Sequence, residues 1–270
     1  FGSVATETLT RELAARLSEL VQAPLCELLP NTLGTATSYV TLSDQQEVER
    51  LLEASRKPVD IGDLFVFPDV CIGFAAYPQH GSHSGALIRK ASHAAYQAGA
   101  NSMSVLQYSE TLELRDREGC ERVGMLPDAI NSGELSFHYQ PIVAISDGQP
   151  AFVEALIRWN SPQLGYVAPA DFIPRMENTS LVYPVHDYTI RETLSSFASW
   201  SRAYPGLRLS INLSVRLLRD SSWLHLVETL VREHGLKPRH VLFEITESAL
   251  MSDFDASLST LDLIRELGMG

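Results

Sequence analysis

Residues 152–159 read Phe-Val-Glu-Ala-Leu-Ile-Arg-Trp, an apolar run that carries an acid and a guanidinium four residues apart. As a β-strand, this run places Glu154, Leu156 and Arg158 on one face, because successive side chains of a strand alternate. Burying charge without partners is costly, so this face is a poor core surface. It suits the floor of a site for a metal ion and an anionic ligand. The alternative is an Arg–Glu pair at a strand end, and this segment alone does not decide between them.

Length, charge and cysteine content limit the class of protein. A chain of 270 residues can form two ordinary domains or one large α/β barrel, and 45% apolar with 20% charged residues describes a soluble globular protein. The net charge of −12 argues against a nucleic-acid partner. No apolar run approaches the roughly 18 residues of a membrane span, so we expect no membrane contact from this segment. Cys26, Cys71 and Cys120 are widely spaced and suit a reducing cytoplasm, as buried or idle thiols. The opening Phe-Gly-Ser resembles the middle of a domain, which leaves room for an upstream sensor or anchor.

Helical and extended patterns alternate through the first 110 residues, which predicts one small α/β domain. The expected elements are a helix over 5–22, a strand within 33–42, a helix over 45–55, a strand-rich stretch over 64–76 and a helix over 82–98. His80 and His83 lie in the turn before the last helix. Two histidines three residues apart could bind a metal, but without further ligands nearby a solvated loop is favoured.

The second half begins with helices over 109–124 and 125–131 and a strand over 137–143. A turn at 146–150 then leads into the 152–159 strand, so these two strands could form an antiparallel pair. Further strands and helices alternate after that, which argues for a parallel sheet, either open or closed as a barrel. The expected elements are strands over 207–213 and 240–246 and helices over 223–234 and 255–267.

Two of these later strands carry a polar residue inside an apolar run, Asn212 in one and Glu244 in the other. With Glu154, three successive strands each present one oxygen at about the same height, on the barrel face where sites are assembled. Carboxylate and amide oxygens favour a hard cation, Mg²⁺ or Mn²⁺. The alternatives are that Asn212 ties strand ends together as a buried amide, and that Glu244 and Glu247 cap the following helix.

The first 110 residues resemble the cyclase-type GGDEF domain. The resemblance rests on Asp-Ile-Gly-Asp at 60–63, Cys-Ile-Gly-Phe-Ala-Ala-Tyr-Pro at 71–78 and the helix over 87–99. At the signature loop this chain has Gly-Thr-Ala-Thr-Ser at 34–38, and these side chains supply no carboxylate for a metal. The resemblance therefore implies a catalytically silent regulatory domain without diguanylate cyclase activity, for which GTP is a further candidate ligand.

From about residue 125 onward the chain resembles the EAL family. The motifs are Gln-Pro-Ile at 140–142, Glu-Ala-Leu-Ile-Arg-Trp at 154–159, Ala-Pro-Ala-Asp-Phe-Ile-Pro at 168–174, Ile-Asn-Leu-Ser at 211–214 and Phe-Glu-Ile-Thr-Glu-Ser at 243–248. The family hydrolyses cyclic di-GMP to the linear dinucleotide on a (β/α)8 TIM-type barrel whose first strand is antiparallel. The resemblance implies metal ligands at Glu154, Asn212 and Glu244, of which the two acids are catalytic. It further implies substrate contacts at Gln140, Leu156, Arg158 and Glu177, and a supporting acid at Glu247.

The chain ends before the strand on which the family carries its Asp-Asp motif, catalytic lysine and last glutamate. We therefore expect the first half of a barrel, completed by further polypeptide or by a partner chain. The predicted organisation is a degenerate GGDEF-like domain (1–110), a helical linker (111–126) and the N-terminal part of an EAL domain (127–270), with a homodimer as the expected assembly. The leading function is cyclic di-GMP hydrolysis. A catalytically inactive cyclic di-GMP receptor is the alternative, and a protein-interaction scaffold comes third.

Overall fold

The computed structural model describes residues 3–20, 26–30, 36–39, 42, 45–62, 64–245 and 254–270. The chain divides into two compact units, Phe1–Asp116 and Arg117–Gly270. The division falls within one helix, Glu110–Gly124, so the predicted boundaries at 110 and 126 stay a prediction. In the part of the chain that the structure describes, no helix is both long and apolar enough to cross a membrane.

The first unit alternates helices with short strands, as the pattern predicts. Its elements are α1 (Ser3–Ser18), β1 (Cys26–Pro30), β2 (Ala36–Tyr39), α2 (Gln45–Ser55), β3 (Val59–Asp60), β4 (Phe65–Val66), β5 (Ile72–Phe74), α3 (Ser84–Ala100), β6 (Val105–Gln107) and the first part of α4 (Glu110–Gly124). Its described strands form three separate pairs rather than one sheet: β1 with β2 and β3 with β4 are antiparallel, and β5 with β6 is parallel.

Helix α3 connects β5 to β6 and packs closely against β5. Gly73 makes this approach possible, because a Cβ at that position would lie 2.0 Å from the backbone nitrogen of Ala95 and 2.3 Å from the carbonyl oxygen of Ala91. Only a residue without a side chain fits between a strand and a helix at that distance. The β5–α3–β6 segment is thus a compact parallel unit.

The turn before α3 differs from its prediction as a solvated loop. His80 is only 9% exposed, and its Nδ1 accepts a hydrogen bond of 2.9 Å from the backbone N–H of Ala76. Its ring packs edge-on against Tyr108, with 5.3 Å between ring centroids. The prediction is therefore wrong for His80, because the turn folds back onto a tyrosine distant in sequence. It is right for His83, which is exposed.

The second unit contains the remaining elements. They are α5 (Leu126–Ser132), β7 (Leu135–Val143), β8 (Pro150–Ser161), β9 (Gly165–Val167), α6 (Pro169–Met176), α7 (Val182–Ser201), β10 (Arg208–Asn212), α8 (Leu224–Glu233), β11 (Val241–Glu244) and α9 (Phe254–Glu266), with 3₁₀ turns at Val215–Arg219, Ser221–Trp223 and Pro238–His240. Helix α5 ends where predicted, since Gly133 takes up the left-handed conformation (φ 72°) that terminates helices.

The strands of this unit form one sheet in the order β11-β10-β8-β7, with β9 paired to β8. β7 and β8 are antiparallel, whereas β10 is parallel to both β8 and β11. The predicted antiparallel first pair and the parallel sheet are thus confirmed. The described strands form an open sheet, so the barrel is not closed.

One face of the sheet is buried under helices. Trp159 of β8 and Phe172 of α6 are both 0% exposed and pack edge-on, with 5.3 Å between ring centroids. The Trp159 indole also donates a 3.0 Å hydrogen bond to Glu134, and this bond is the main cause that holds the pKa of that carboxyl below its usual value. Leu209 and Ile211 of β10 are fully buried on the same side. Because successive side chains of a strand alternate, Glu154 lies on the opposite face of the sheet, where a site can form.

Candidate active site

The register of the sheet brings the predicted residues onto one face. Glu154 lies opposite Gln140 of β7 on one side and opposite Ser210 of β10 on the other. Asn212, two residues after Ser210, lies opposite Glu244 of β11. Directly opposed residues of neighbouring strands share a face, as do residues two apart in one strand. The oxygen-bearing side chains of three successive strands therefore converge, as the sequence predicts.

Two side-chain hydrogen bonds join these residues across the strands. The Asn212 side-chain amide donates to Glu154 Oε1 over 2.8 Å. The Ser210 hydroxyl donates to Glu244 Oε1. Ser210 is a site residue that the sequence analysis missed. Its signal was present, because polar and apolar residues alternate through β10 and place Ser210 on the face of Asn212.

The oxygens of this cluster are accessible and of the type that hard cations prefer. Asn212 and Glu244 are exposed and Glu154 is half-buried. In the described residues no three His, Cys, Asp or Glu side chains lie close enough together to hold a metal, so the donor set is two carboxylates and one amide. This set fits Mg²⁺ or Mn²⁺, since Mg²⁺ characteristically completes its coordination with waters and substrate phosphates. Rotation of the Asn212 side chain would present its oxygen to the ion.

Arg158 lies on the same face and is half-buried. Its Nη1 donates a 2.8 Å hydrogen bond to the carbonyl of Ile157. Among the described residues no ion pair joins Arg158 to Glu154, whose carboxylate instead accepts from Asn212. The simple Arg–Glu pair considered from the sequence is therefore not what the structure contains. A guanidinium has five N–H donors, so Arg158 retains donors for an anion.

The other residues predicted to contact the substrate lie partly on the sheet and partly away from it. Gln140 is exposed and Leu156 is half-buried, and both lie on the same face of the sheet as Glu154. Glu177 is off the sheet, at the C-terminal end of α6, where its backbone carbonyl accepts a 3.0 Å hydrogen bond from Arg216 Nη1. Glu247 lies outside the described residues. The sequence analysis missed Arg216, which follows β10 in a 3₁₀ turn.

Comparison with known proteins assigns the second unit to a family. Residues 123–270 match the EAL domain. The chain belongs to the EAL domain family. It is 32% identical over 262 residues to the cyclic di-GMP phosphodiesterase PA2567 of Pseudomonas aeruginosa, covering 94% of this chain and 44% of that protein. The chain spans less than half the length of the curated relatives it matches first.

Solved structures resemble the chain as well. The PaMucR phosphodiesterase in complex with cyclic di-GMP is 32% identical, with a TM-score of 0.51, and the match covers 55% of this chain and 60% of that one. The Vibrio cholerae LapD S helix-GGDEF-EAL structure, bound to cyclic di-GMP, is 15% identical, with a TM-score of 0.61 over 96% of this chain and 62% of that one. At that identity the second likeness concerns the fold alone.

Proposed function

We propose that the EAL domain of this chain hydrolyses cyclic di-GMP to linear pGpG with the help of Mg²⁺ or Mn²⁺. The observation that carries the proposal is the connected, accessible cluster of Glu154, Asn212 and Glu244 on one face of the sheet. The relative PA2567 is a cyclic di-GMP phosphodiesterase, and the PaMucR structure contains cyclic di-GMP; both support extending this substrate to the present chain.

In this proposal the protein's residues hold the cation and orient its ligands. Glu154, Asn212 and Glu244 would supply oxygens to the ion, and the Ser210 hydroxyl sets the orientation of the Glu244 carboxylate by bonding Oε1. When bound, a divalent cation lowers the pKa of a water molecule and offsets the negative charge of the phosphate oxygens. The carboxylates of Glu154 and Glu244 are the proposed catalytic groups because they determine where the cation is held.

The substrate would lie across the exposed side of the same face. Arg158 is the proposed phosphate contact, since a guanidinium can form two parallel charge-assisted hydrogen bonds to phosphate oxygens. Gln140 and the strand around Leu156 would border the dinucleotide, and Glu177 would approach it from the end of α6. Glu247 is proposed as a supporting acid behind the ligands.

The first unit is proposed to be a degenerate GGDEF-like domain that regulates the EAL domain. Its signature position, 34–38, has no carboxylate to hold a metal, so we expect no diguanylate cyclase activity, although GTP could still bind. The LapD structure, a GGDEF–EAL chain, supports this fold because its likeness extends over 96% of the present chain. We further propose that the protein is located in the cytoplasm and that it assembles as a homodimer.

The decisive experiment replaces Glu154 in the intact protein. Glu154→Ala should abolish hydrolysis with Mg²⁺ or Mn²⁺, because the cation loses one of its two carboxylates and the charge that offsets its own. Glu233→Ala, at an exposed position near the end of α8, is the matched control and should leave turnover unchanged. The measurement is chromatography of the linear product at several concentrations of each metal. Turnover near the parent level in Glu154→Ala would show that Glu154 is structural. If the parent protein bound cyclic di-GMP without hydrolysing it, the alternative function, a catalytically inactive cyclic di-GMP receptor, would be favoured.

A further inference from the structure

The 3₁₀ turn Val215–Arg219, directly after β10, is held firmly by the core. Leu217 and Leu218 are 1% and 0% exposed. The indole of Trp223 donates a 2.9 Å hydrogen bond to the carbonyl of Leu217, and the hydroxyl of Thr260 donates one of 2.7 Å to the carbonyl of Leu218. Buried hydrogen bonds of this kind resist rearrangement, because breaking one leaves a polar group unpaired. The turn is therefore a rigid platform.

This platform is also tied to the strands that carry the proposed metal ligands. Leu213, the residue after Asn212, donates its backbone N–H to the carbonyl of Glu244 over 2.8 Å. The parallel pairing of β10 with β11 thus continues one residue beyond Asn212. The backbone that leads into the turn is therefore anchored beside both proposed ligands.

Arg216 extends from the platform to the segment that connects α6 with α7. Its Nη1 donates to the carbonyl of Glu177 at 3.0 Å and to the carbonyl of Thr179 at 2.9 Å. Carbonyls just past the end of a helix lack intrahelical partners, and a cation near that end is favoured by the helix dipole. Both contacts involve a charged donor, which makes them stronger than neutral hydrogen bonds.

We propose that Arg216 is a positioning residue that fixes the Glu177 segment relative to the Asn212–Glu244 edge of the site. The role rests on the proposed function, since it matters for activity only if Glu177 approaches the bound dinucleotide. In this arrangement Arg216 acts through Glu177 and does not itself touch the substrate. Both bonds come from Nη1 of the planar guanidinium, whose N–H directions are fixed, whereas the lysine ammonium is a point charge on a flexible stem with rotatable donors.

The first test measures the tie itself, without any ligand. Arg216→Ala in the intact protein should speed amide hydrogen exchange across residues 177–181 by about tenfold or more. This factor corresponds to the stabilisation that is lost when a hydrogen bond to a charged group is removed. Arg216→Lys should give an intermediate rate, and it serves if the alanine variant does not fold. Arg232→Ala, at an exposed position on α8, should leave the exchange of this segment unchanged. Equal exchange in the parent and both Arg216 variants would overturn the proposal.

The second test is a double-mutant cycle with Glu177 on cyclic di-GMP affinity, measured by calorimetry without divalent cations. Arg216→Ala should weaken binding about tenfold in the parent and change it little in a Glu177→Ala background, because residues that act as one unit are not additive. The same fold-loss in both backgrounds would overturn the positioning role and place Arg216 on the ligand. A parent that neither binds cyclic di-GMP nor hydrolyses it with Mg²⁺ or Mn²⁺ would refute the proposed function instead, and the exchange rates would still decide whether Arg216 holds the segment.

Discussion

His186 should make the second unit lose stability in mild acid. It lies on α7, only 5% exposed, with its ring edge-on to Trp223 at 4.8 Å between centroids. Its buried Nε2 has no hydrogen-bond partner among the described residues. Burial in these surroundings lowers the pKa of His186 from 6.5 to about 4, because the charged form loses its hydration.

The sign and size of the effect follow from proton linkage. Between pH 6.5 and pH 4 the unfolded chain binds a proton at His186 and the folded chain does not, so stability rises with pH across this window. The stability is fully present above pH 6.5 and is lost as the pH falls toward 4. At about 1.4 kcal/mol per pH unit, the whole window corresponds to about 3 kcal/mol, and the step from pH 6.5 to pH 5 to about 2 kcal/mol.

The assay compares urea unfolding of the parent and His186→Leu at pH 7.5 and pH 5, followed by tryptophan fluorescence. Leucine is similar in volume and does not titrate, so the variant should lose about 2 kcal/mol less than the parent on acidification. His240, whose pKa is lowered first by burial and then by Arg239, adds acid sensitivity to both proteins and cancels in the comparison. His225→Leu, at an exposed position on α8, should behave as the parent does. An equal loss in the parent and His186→Leu would refute this reasoning.

Two further predictions concern the site. Arg158→Ala should weaken cyclic di-GMP binding by roughly 1.5–3 kcal/mol, the range for a hydrogen bond to a charged group, whereas Arg158→Lys keeps the charge and should lose less. Calorimetry measures the affinity for cyclic di-GMP, and product chromatography measures turnover. If the protein is an enzyme, turnover should fall together with affinity. Unchanged affinity would contradict the proposal that Arg158 contacts the ligand. Ser210→Ala should raise the metal concentration needed for half-maximal turnover about tenfold, because Glu244 loses the hydroxyl that orients it. Ser199→Ala, exposed on α7, is the control, and equal metal dependence in both variants would refute the role of Ser210.

The local pattern of the chain was sufficient for β7, β8, β10 and β11, the strands that carry the site, but it did not predict β1, β3, β6 or β9. The alternation in residues 152–159 correctly predicts that Glu154, Leu156 and Arg158 share a face, because the two-residue period of a strand follows from backbone geometry alone. The turn at 146–150 and the alternating elements after it likewise predicted the antiparallel pair and the parallel sheet. These features depend on residues close together in sequence.

Contacts between distant residues were decided only by the tertiary structure. Asn212 bonds Glu154 across 58 positions, and Arg216 reaches Glu177 across 39. His80 is buried although its own segment reads as a loop, because Tyr108 packs over it. Such contacts depend on strand register and helix packing, which arise from the sum of many weak interactions over the whole chain and leave no periodic signal in any one segment.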